Sequence, residues 1–208
     1  LLVMAEAMGH PALAAVAEPL VIDGFESFAY SQYHPLHLNL VIGADTHFVY
    51  GFTHSRLRRK GTMTAGQKRR RARIEEKHGR PDPKAIELDM AAALRLAAPT
   101  AQALVVRSDE HPAYPRGFRR LRGHDITHER TPSVQARTAG NPLFPVNRMD
   151  LLLRHSGSNH KRETIAFSKR HQCVIERAAV HLVWCNFSKG FSENHDPETP
   201  AMKLGLAR

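Results

Sequence analysis

The chain has few residues from which a cysteine-based framework could be built. It contains 2 cysteines among 208 residues, Cys173 and Cys185, and neither belongs to a CxxC pair. A zinc ribbon and a disulfide scaffold are therefore excluded as interpretations of this sequence, and a reducing compartment is the default.

Long apolar runs and glycine-rich phosphate loops are also missing. No stretch approaches the roughly 18 to 20 apolar residues that a membrane-spanning helix needs, and the Ala-rich start lacks the basic region of an export signal. No GxxxxGK sequence occurs, so nucleotide-driven chemistry has no support. We expect no membrane association.

What the chain has in excess is positive charge. It carries 30 Lys and Arg against 20 Asp and Glu, a formal charge of +10, and its pI is near 10.1. Such an excess favours a polyanionic partner, nucleic acid before a membrane surface, although a soluble protein can also simply be basic.

The order of predicted elements indicates one mixed α/β domain. Three antiparallel strands are predicted at about 20–25, 36–42 and 48–52, followed by helices at about 64–77 and 83–98, the second with Ile86, Met90, Ala93 and Leu96 on one face. A strand at 101–106, a short helix at 115–122, a strand at 125–128 and helices at 146–155 and 168–187 follow. The last helix is predicted to pack through Val174, Ala178, Leu182 and Cys185. This order is that of the ribonuclease-H-like fold, a mixed sheet flanked by helices.

The domain boundaries follow from composition. We expect a lead segment at 1–18, a ribonuclease-H-like domain at 19–190 with a basic insertion at about 56–83, and a loose tail at 191–208. The first residue is Leu rather than Met, and we expect the chain to be a fragment or the product of an altered gene.

Two aspartates are the strongest functional candidates. Asp23 follows the apolar run Leu20 to Ile22, and Asp109 comes soon after the run Leu104 to Val106. Carboxylates at the ends of buried strands are typical of metal-dependent phosphoryl transfer. The alternatives are an ordinary strand-end turn for Asp23 and a helix cap for Asp109.

Three blocks of sequence resemble the catalytic domain of DDE-type transposases of bacterial insertion sequences. They are VIDGFESF, RSDEHPAYPRGFRRL and NPLFPVNRMDLLLRHSGSNHKRETIAFSKRHQ. The resemblance implies cleavage and strand transfer of DNA, with Asp23 and Asp109 as the first and second catalytic acids. The family's third acid, a Glu, falls on Asn147, so we take Asp150, one helical turn later, as its substitute. Glu163 competes for that role, Glu26 is expected to lie along its strand, and Asp150 could instead form a surface ion pair with Arg154.

The resemblance also implies cofactors and partners. Asp23, Asp109 and Asp150 would hold two Mg²⁺ or Mn²⁺ ions, and the partners would be the element ends and the target DNA, bound by a homo-oligomer in the bacterial cytoplasm at the nucleoid. The predicted DNA contacts are Lys68, Arg69, Arg70, Arg71, Arg73, Arg154, His160, Lys161, Arg162 and Lys169. Two other readings are a catalytically inactive DNA-binding remnant and a nuclease that cleaves without joining.

Overall fold

The computed structural model describes residues 13, 15–31, 33–161, 165–192 and 196–207. The strands are β1 (Leu20–Phe28), β2 (Pro35–Gly43), β3 (Val49–Arg56), β4 (Ala103–Ser108) and β5 (Asp125–Arg130). The helices are α1 (Ala65–His78), α2 (Ala85–Ala97), α3 (Ala113–Phe118), α4 (Phe144–Ser156), α5 (His171–Phe187) and α6 (Pro200–Lys203), with a 3₁₀ turn at Ser158–His160.

The five strands form one mixed sheet in the order β3-β2-β1-β4-β5. The first three are antiparallel, whereas β4 pairs parallel with both β1 and β5. Parallel neighbours need a crossover connection, which α2 provides before β4 and α3 provides before β5. This arrangement confirms the predicted ribonuclease-H-like class, three antiparallel strands followed by parallel strands.

Successive side chains of β1 point to opposite faces of the sheet, so both faces carry apolar residues and both are covered by helices. Leu20 and Ile22 pack on the face that α2 covers, whereas Val21 and Phe25 pack on the face that α4 and α5 cover. All four side chains are fully buried. Burial of such side chains contributes roughly 1.5 to 3 kcal/mol each, so the two apolar layers fix how the helices lie on the sheet.

The predicted packing face of α5 is confirmed, because Val174, Ala178, Leu182 and Cys185 are all buried. The predicted face of α2 is partly wrong. Met90 and Ala93 are buried, but Ile86 is only partly buried and Leu96 is 46% exposed. The buried face of α2 instead includes Leu94. In an alanine-rich helix, small apolar side chains occur on several sides. The sequence therefore does not determine which side of α2 faces the sheet.

Helix α1 is the exposed basic helix that the sequence predicts. Thr64 caps its first turn by accepting a hydrogen bond from the Gln67 N–H at 3.3 Å, and the Gln67 side chain accepts one from the Thr64 N–H at 3.1 Å. No residue of the helix is buried. It therefore offers its charges to solvent.

The prediction of a loose tail is wrong for residues 196–207. Helix α6 begins after Thr199, whose side chain accepts a hydrogen bond from the Met202 N–H at 3.2 Å. Ala201 is fully buried in the layer beneath α2, and Leu204 packs against the same layer. The segment is held by apolar contacts that local composition does not reveal.

Within the described residues, no helix is long and apolar enough to span a membrane.

Candidate active site

Asp23 lies in the middle of β1, not at its end as predicted. The strand runs on to Phe28, but its pairing with β4 covers only Leu20 with Val106 and Val21 with Arg107. Beyond Val21, β1 continues without pairing to β4, which itself ends one residue later at Ser108. On the side of β1 that faces β4, Asp23 therefore has no strand partner within the described chain. Although it lies within β1, it is as open on this side as a residue at the end of a strand.

The register of β1 and β4 brings Asp23 and Asp109 to the same level of the sheet. Each paired residue of β4 is 86 positions after its partner in β1, as for Leu20 and Val106, and Asp23 and Asp109 differ by the same 86 positions. Asp109 is the first residue after β4. The two acids are therefore neighbours across the point where the parallel pairing ends.

The Asp23 carboxylate is held by two donors and remains difficult to ionise. Its Oδ1 accepts a hydrogen bond from the Gly24 N–H at 2.6 Å and one from the Tyr114 hydroxyl at 3.2 Å. Burial raises the pKa of Asp23 to about 6, the negative charge of Asp109 adds to the rise, and the two hydrogen bonds oppose it. A cation placed beside this carboxylate would be stabilised by the negative charges of Asp23 and Asp109.

Asp109 shapes the turn that leads into α3. Its Oδ1 accepts a hydrogen bond from the His111 N–H at 2.8 Å, and its carbonyl accepts one from the Ser108 hydroxyl at 2.7 Å. The helix cap that the sequence offers as an alternative is not formed, because α3 has Pro112 at its N-cap position and no side-chain cap hydrogen bond. The bond from the His111 N–H instead closes a turn two residues on, and it fixes the carboxylate at the end of β4.

Asp150 lies at the edge of the packed face of α4. Val146, Met149 and Leu153 are buried on this face. They pack on the same face of the sheet as Val21 and Phe25. Asp23 points to this face as well, because it alternates with them along β1, so Asp150 lies on the side of the sheet to which Asp23 points. Burial raises the pKa of Asp150 to about 7, and repulsion by Asp23 adds to the rise. Its Oδ1 is buried and has no hydrogen-bond partner within the described part of the chain.

The alternative of a surface ion pair between Asp150 and Arg154 does not fit this geometry. The Arg154 guanidinium lies over the Phe25 ring, 4.8 Å from its centroid. It lowers the pKa of Asp150 from a distance, but no salt bridge joins the two among the described residues. Asp150 is therefore a partly buried acid, with one buried carboxylate oxygen, whose ionisation is opposed by the charge of Asp23.

Tyr114 is the common neighbour of the three acids. Burial raises the pKa of its phenol, and the charges of Asp23, Asp109 and Asp150 all raise it further. Within the described residues no three His, Cys, Asp or Glu side chains already stand in a metal-coordinating arrangement. The aspartates thus share one electrostatic environment without being drawn together into a ligand cluster, as expected for mutually repelling carboxylates.

The competing acids separate clearly. Glu163 lies outside the described residues. Asn147 is in the first turn of α4, and no carboxylate is available there. Glu26 follows Asp23 by an odd number of positions, so its side chain lies on the other face of the sheet. Asp150 is the described acid of α4 that faces Asp23.

The predicted DNA contacts on α1 fall into two groups. Arg70 donates to the Tyr30 carbonyl at 2.7 Å and Arg71 donates to the Arg59 carbonyl at 3.2 Å, so both help to hold the helix in place. The side chains of the other three are exposed and have no ion-pair or hydrogen-bond partner among the described residues: Lys68, Arg69 and Arg73.

The predicted contacts near the third acid also divide. Lys161 and Lys169 are exposed, and Arg162 lies outside the described residues. The predicted DNA contact at His160 is wrong. Its side chain is only 3% exposed, its Nδ1 is 3.0 Å from the Ser27 hydroxyl, and its ring packs edge-on against Phe25. It belongs to the interior and has no surface to offer DNA.

Sequence reasoning missed two residues of the site. Tyr114 reaches Asp23 from α3, and exposed Arg137 lowers the pKa of both Asp23 and Asp150 from the loop before α4. The position of Tyr114 shortly after Asp109 at a helix start was a usable signal. Arg137, in a polar loop, gave none.

No family model matches the chain, and no curated protein matches it. Among solved structures the chain is similar to the catalytic core domain of HTLV-2 integrase, in complex with magnesium and in a dimeric form, with 10% identity over 88% of this chain and 92% of that chain and a TM-score of 0.42. At this TM-score the likeness carries no weight for function.

Proposed function

We propose that this chain is a metal-dependent DNA transposase, a polynucleotidyl transferase that cleaves DNA at the ends of an insertion sequence and joins the freed strand to a target. The observation that carries the proposal is that Asp23, Asp109 and Asp150 share one electrostatic environment around Tyr114. These acids come from the middle of β1, the end of β4 and the buried side of α4. Partly buried carboxylates that repel one another are costly for folding and are typical of functional sites.

The residues fit a pair of divalent cations. Asp150 has a buried oxygen without a hydrogen-bond partner in the described part of the chain. Burial raises the pKa of Asp23 to about 6 and that of Asp150 to about 7, with the charge of Asp109 adding to the first rise and the charge of Asp23 adding to the second. Carboxylate oxygens are the ligands that Mg²⁺ and Mn²⁺ prefer. Held by these three acids, two such ions would supply polarisation of the attacking hydroxyl or water and stabilisation of the leaving oxygen.

The chain's own side chains would position this chemistry. The Tyr114 hydroxyl and the Gly24 N–H fix one oxygen of Asp23, and the His111 N–H fixes one oxygen of Asp109. The cations of Arg137 and Arg154 lie near enough to lower the pKa of Asp150. They would attract the phosphates of DNA to the acids without reading its sequence.

The decisive experiment is an assay of nicking and strand transfer on DNA that carries the element's own ends, with Mg²⁺ or Mn²⁺. The native chain would be compared with Asp23→Asn, Asp109→Asn and Asp150→Asn, and with Asp125→Asn as a control at an exposed position. We expect each of the three site variants to lose at least roughly a hundredfold in nicking rate and the control to keep it.

Each other outcome points elsewhere. Cleavage without joining would identify a nuclease, and DNA binding without metal-dependent cleavage would identify an inactive remnant. Activity that survives Asp150→Asn would remove Asp150 from the site and make Glu163 the next acid to test.

A further inference from the structure

A large basic groove opens on the sheet face opposite Asp23. Its volume is about 830 Å³, and its walls are residues 57–60 after β3, residues 80–84 before α2 and residues 111–113 after β4. Glu26 and His37, which pair across β1 and β2, form its floor. The first two walls are the two ends of the basic segment that the sequence marks as an insertion.

The cations of the groove outnumber its acids. Six Lys or Arg side chains line it against three Asp or Glu. Two of the six are already paired, Arg58 with Glu75 at 2.8 Å and Arg116 with Glu87 at 3.0 Å. The other four have no ion-pair partner among the described residues: Arg59, Lys60, Arg80 and Lys84.

Of the three acids of the groove, only Glu87 is held in ion pairs within the described part of the chain, so Glu26 and Asp82 leave two negative charges against the four cations. Glu87 is also bound by Arg120 at 2.6 Å, and Asp82 accepts a hydrogen bond from the backbone N–H of Lys84 at 2.7 Å. The Arg59 Nη1 is buried without a hydrogen-bond partner among the residues that the structure describes.

The groove leads to the candidate active site. His111 and Pro112 form its end wall, and the N–H of His111 donates to Asp109 Oδ1. On the floor, His37 lies against Gly24, since a Cβ on that glycine would stand 2.8 Å from His37 Nδ1. The groove therefore passes the side of β1 opposite Asp23, next to Gly24, and ends at His111, two residues after Asp109.

An aromatic side chain favours a strand with exposed bases. Tyr33 lines the groove, is 36% exposed and has the Arg59 guanidinium 4.7 Å from its ring centroid. Grooves that combine unpaired cations with an accessible ring are typical of single-strand binding, because bases stack on the ring while phosphates meet the cations.

We propose that this groove binds a single-stranded segment of DNA, with Lys60, Arg80 and Lys84 on its phosphates and Tyr33 against a base. The strand would continue past His111 to the aspartates. This proposal rests on the proposed function, because it takes the bound strand to be the DNA that is cleaved at Asp109.

The test measures binding in the absence of divalent metal, so that it does not depend on cleavage. A fluorescein-labelled single-stranded oligonucleotide is titrated in EDTA at several salt concentrations and followed by fluorescence anisotropy. The groove variant carries Lys60→Gln, Arg80→Gln and Lys84→Gln. A control variant loses the same three charges at exposed positions outside the groove, through Arg119→Gln, Arg122→Gln and Arg177→Gln.

We expect the groove variant to bind roughly ten- to a hundredfold more weakly, and its log–log salt slope to fall by about 2, since each phosphate contact on a single strand contributes about 0.7. The control should bind within about twofold of the native chain. Equal loss in both variants would overturn the proposal, and so would preferential binding of the matching duplex.

A second measurement uses the native chain and does not depend on the folding of a variant. Lysine acetylation read by mass spectrometry should show Lys60 and Lys84 protected by the oligonucleotide while Lys189, outside the groove, stays reactive. Absence of that protection would contradict the groove. Protection together with a failed cleavage assay would leave the groove in place and remove the proposed catalytic function.

Discussion

Replacing Asp150 by Asn removes a charge that folding brings beside Asp23 and keeps nearly the same shape. Burial, and then the charge of Asp23, raise the pKa of Asp150 from 3.8 to about 7. At 1.36 kcal/mol per pH unit, this corresponds to at most about 4 kcal/mol of stability that the native chain gives up at neutral to alkaline pH.

The sign follows from which state holds the proton. Below pH 3.8 the carboxyl is protonated in both states, so it does not change stability. Between 3.8 and about 7 the folded state holds a proton that the unfolded state has released, so the free energy of unfolding falls as pH rises. Above about 7 the penalty is complete. The Asn variant has no such proton and escapes it.

We therefore expect Asp150→Asn to be more stable than the native chain, by a margin that grows by about 2 to 3 kcal/mol between pH 5 and pH 8. The attraction to Arg154 that the variant loses is worth only about 0.2 to 0.5 kcal/mol at helical spacing, too little to reverse the sign. Urea unfolding without divalent metal, at both pH values, measures the margin, with Asp125→Asn as the exposed control. A margin that stays constant with pH, or a destabilised variant, would refute the placement of Asp150 in a buried site with Asp23.

Two further predictions concern the framework around the site. Gly24→Ala should destabilise the chain by about 1 to 3 kcal/mol in urea unfolding, because its Cβ would stand 2.8 Å from His37 Nδ1; Gly66→Ala, whose Cβ would meet nothing closer than 3.9 Å in exposed helix α1, should instead stabilise it by about 0.5 to 1 kcal/mol. If both changes gave the same sign, the close approach at Gly24 would be wrong. Asn186→Ala should cost about 2 to 4 kcal/mol in the same assay, because the Asn186 side chain accepts from the Val49 N–H at 2.9 Å and donates to the Val49 carbonyl at 3.0 Å, and both groups lose a buried partner. A loss below about 1 kcal/mol would mean that water replaces the amide.

Local sequence was sufficient for most of the elements. The three apolar runs at 20–25, 36–42 and 48–52 each became a strand, longer than predicted by one to four residues at an end, because an apolar run marks the buried part of a strand and not its full hydrogen-bonded length. The helix that packs through Val174, Ala178 and Leu182 was predicted from its period alone. The tail was misjudged because its buried residues Thr199, Pro200 and Ala201 are small and consecutive, so they leave no periodic signal.

The sequence by itself determined which residues could carry charge and chemistry: Asp23 and Asp109 beside apolar strands, Asp150 on a helix, and the basic run around α1. Only the tertiary structure decided which of them meet. The parallel register aligns Asp23 with Asp109 across 86 residues, and α4 docks so that Asp150 faces Asp23. The same packing buries His160 and assembles the basic groove from distant segments. The physical reason is that hydrophobic period is encoded by neighbouring residues, whereas register and docking are set by burial between elements far apart in the chain.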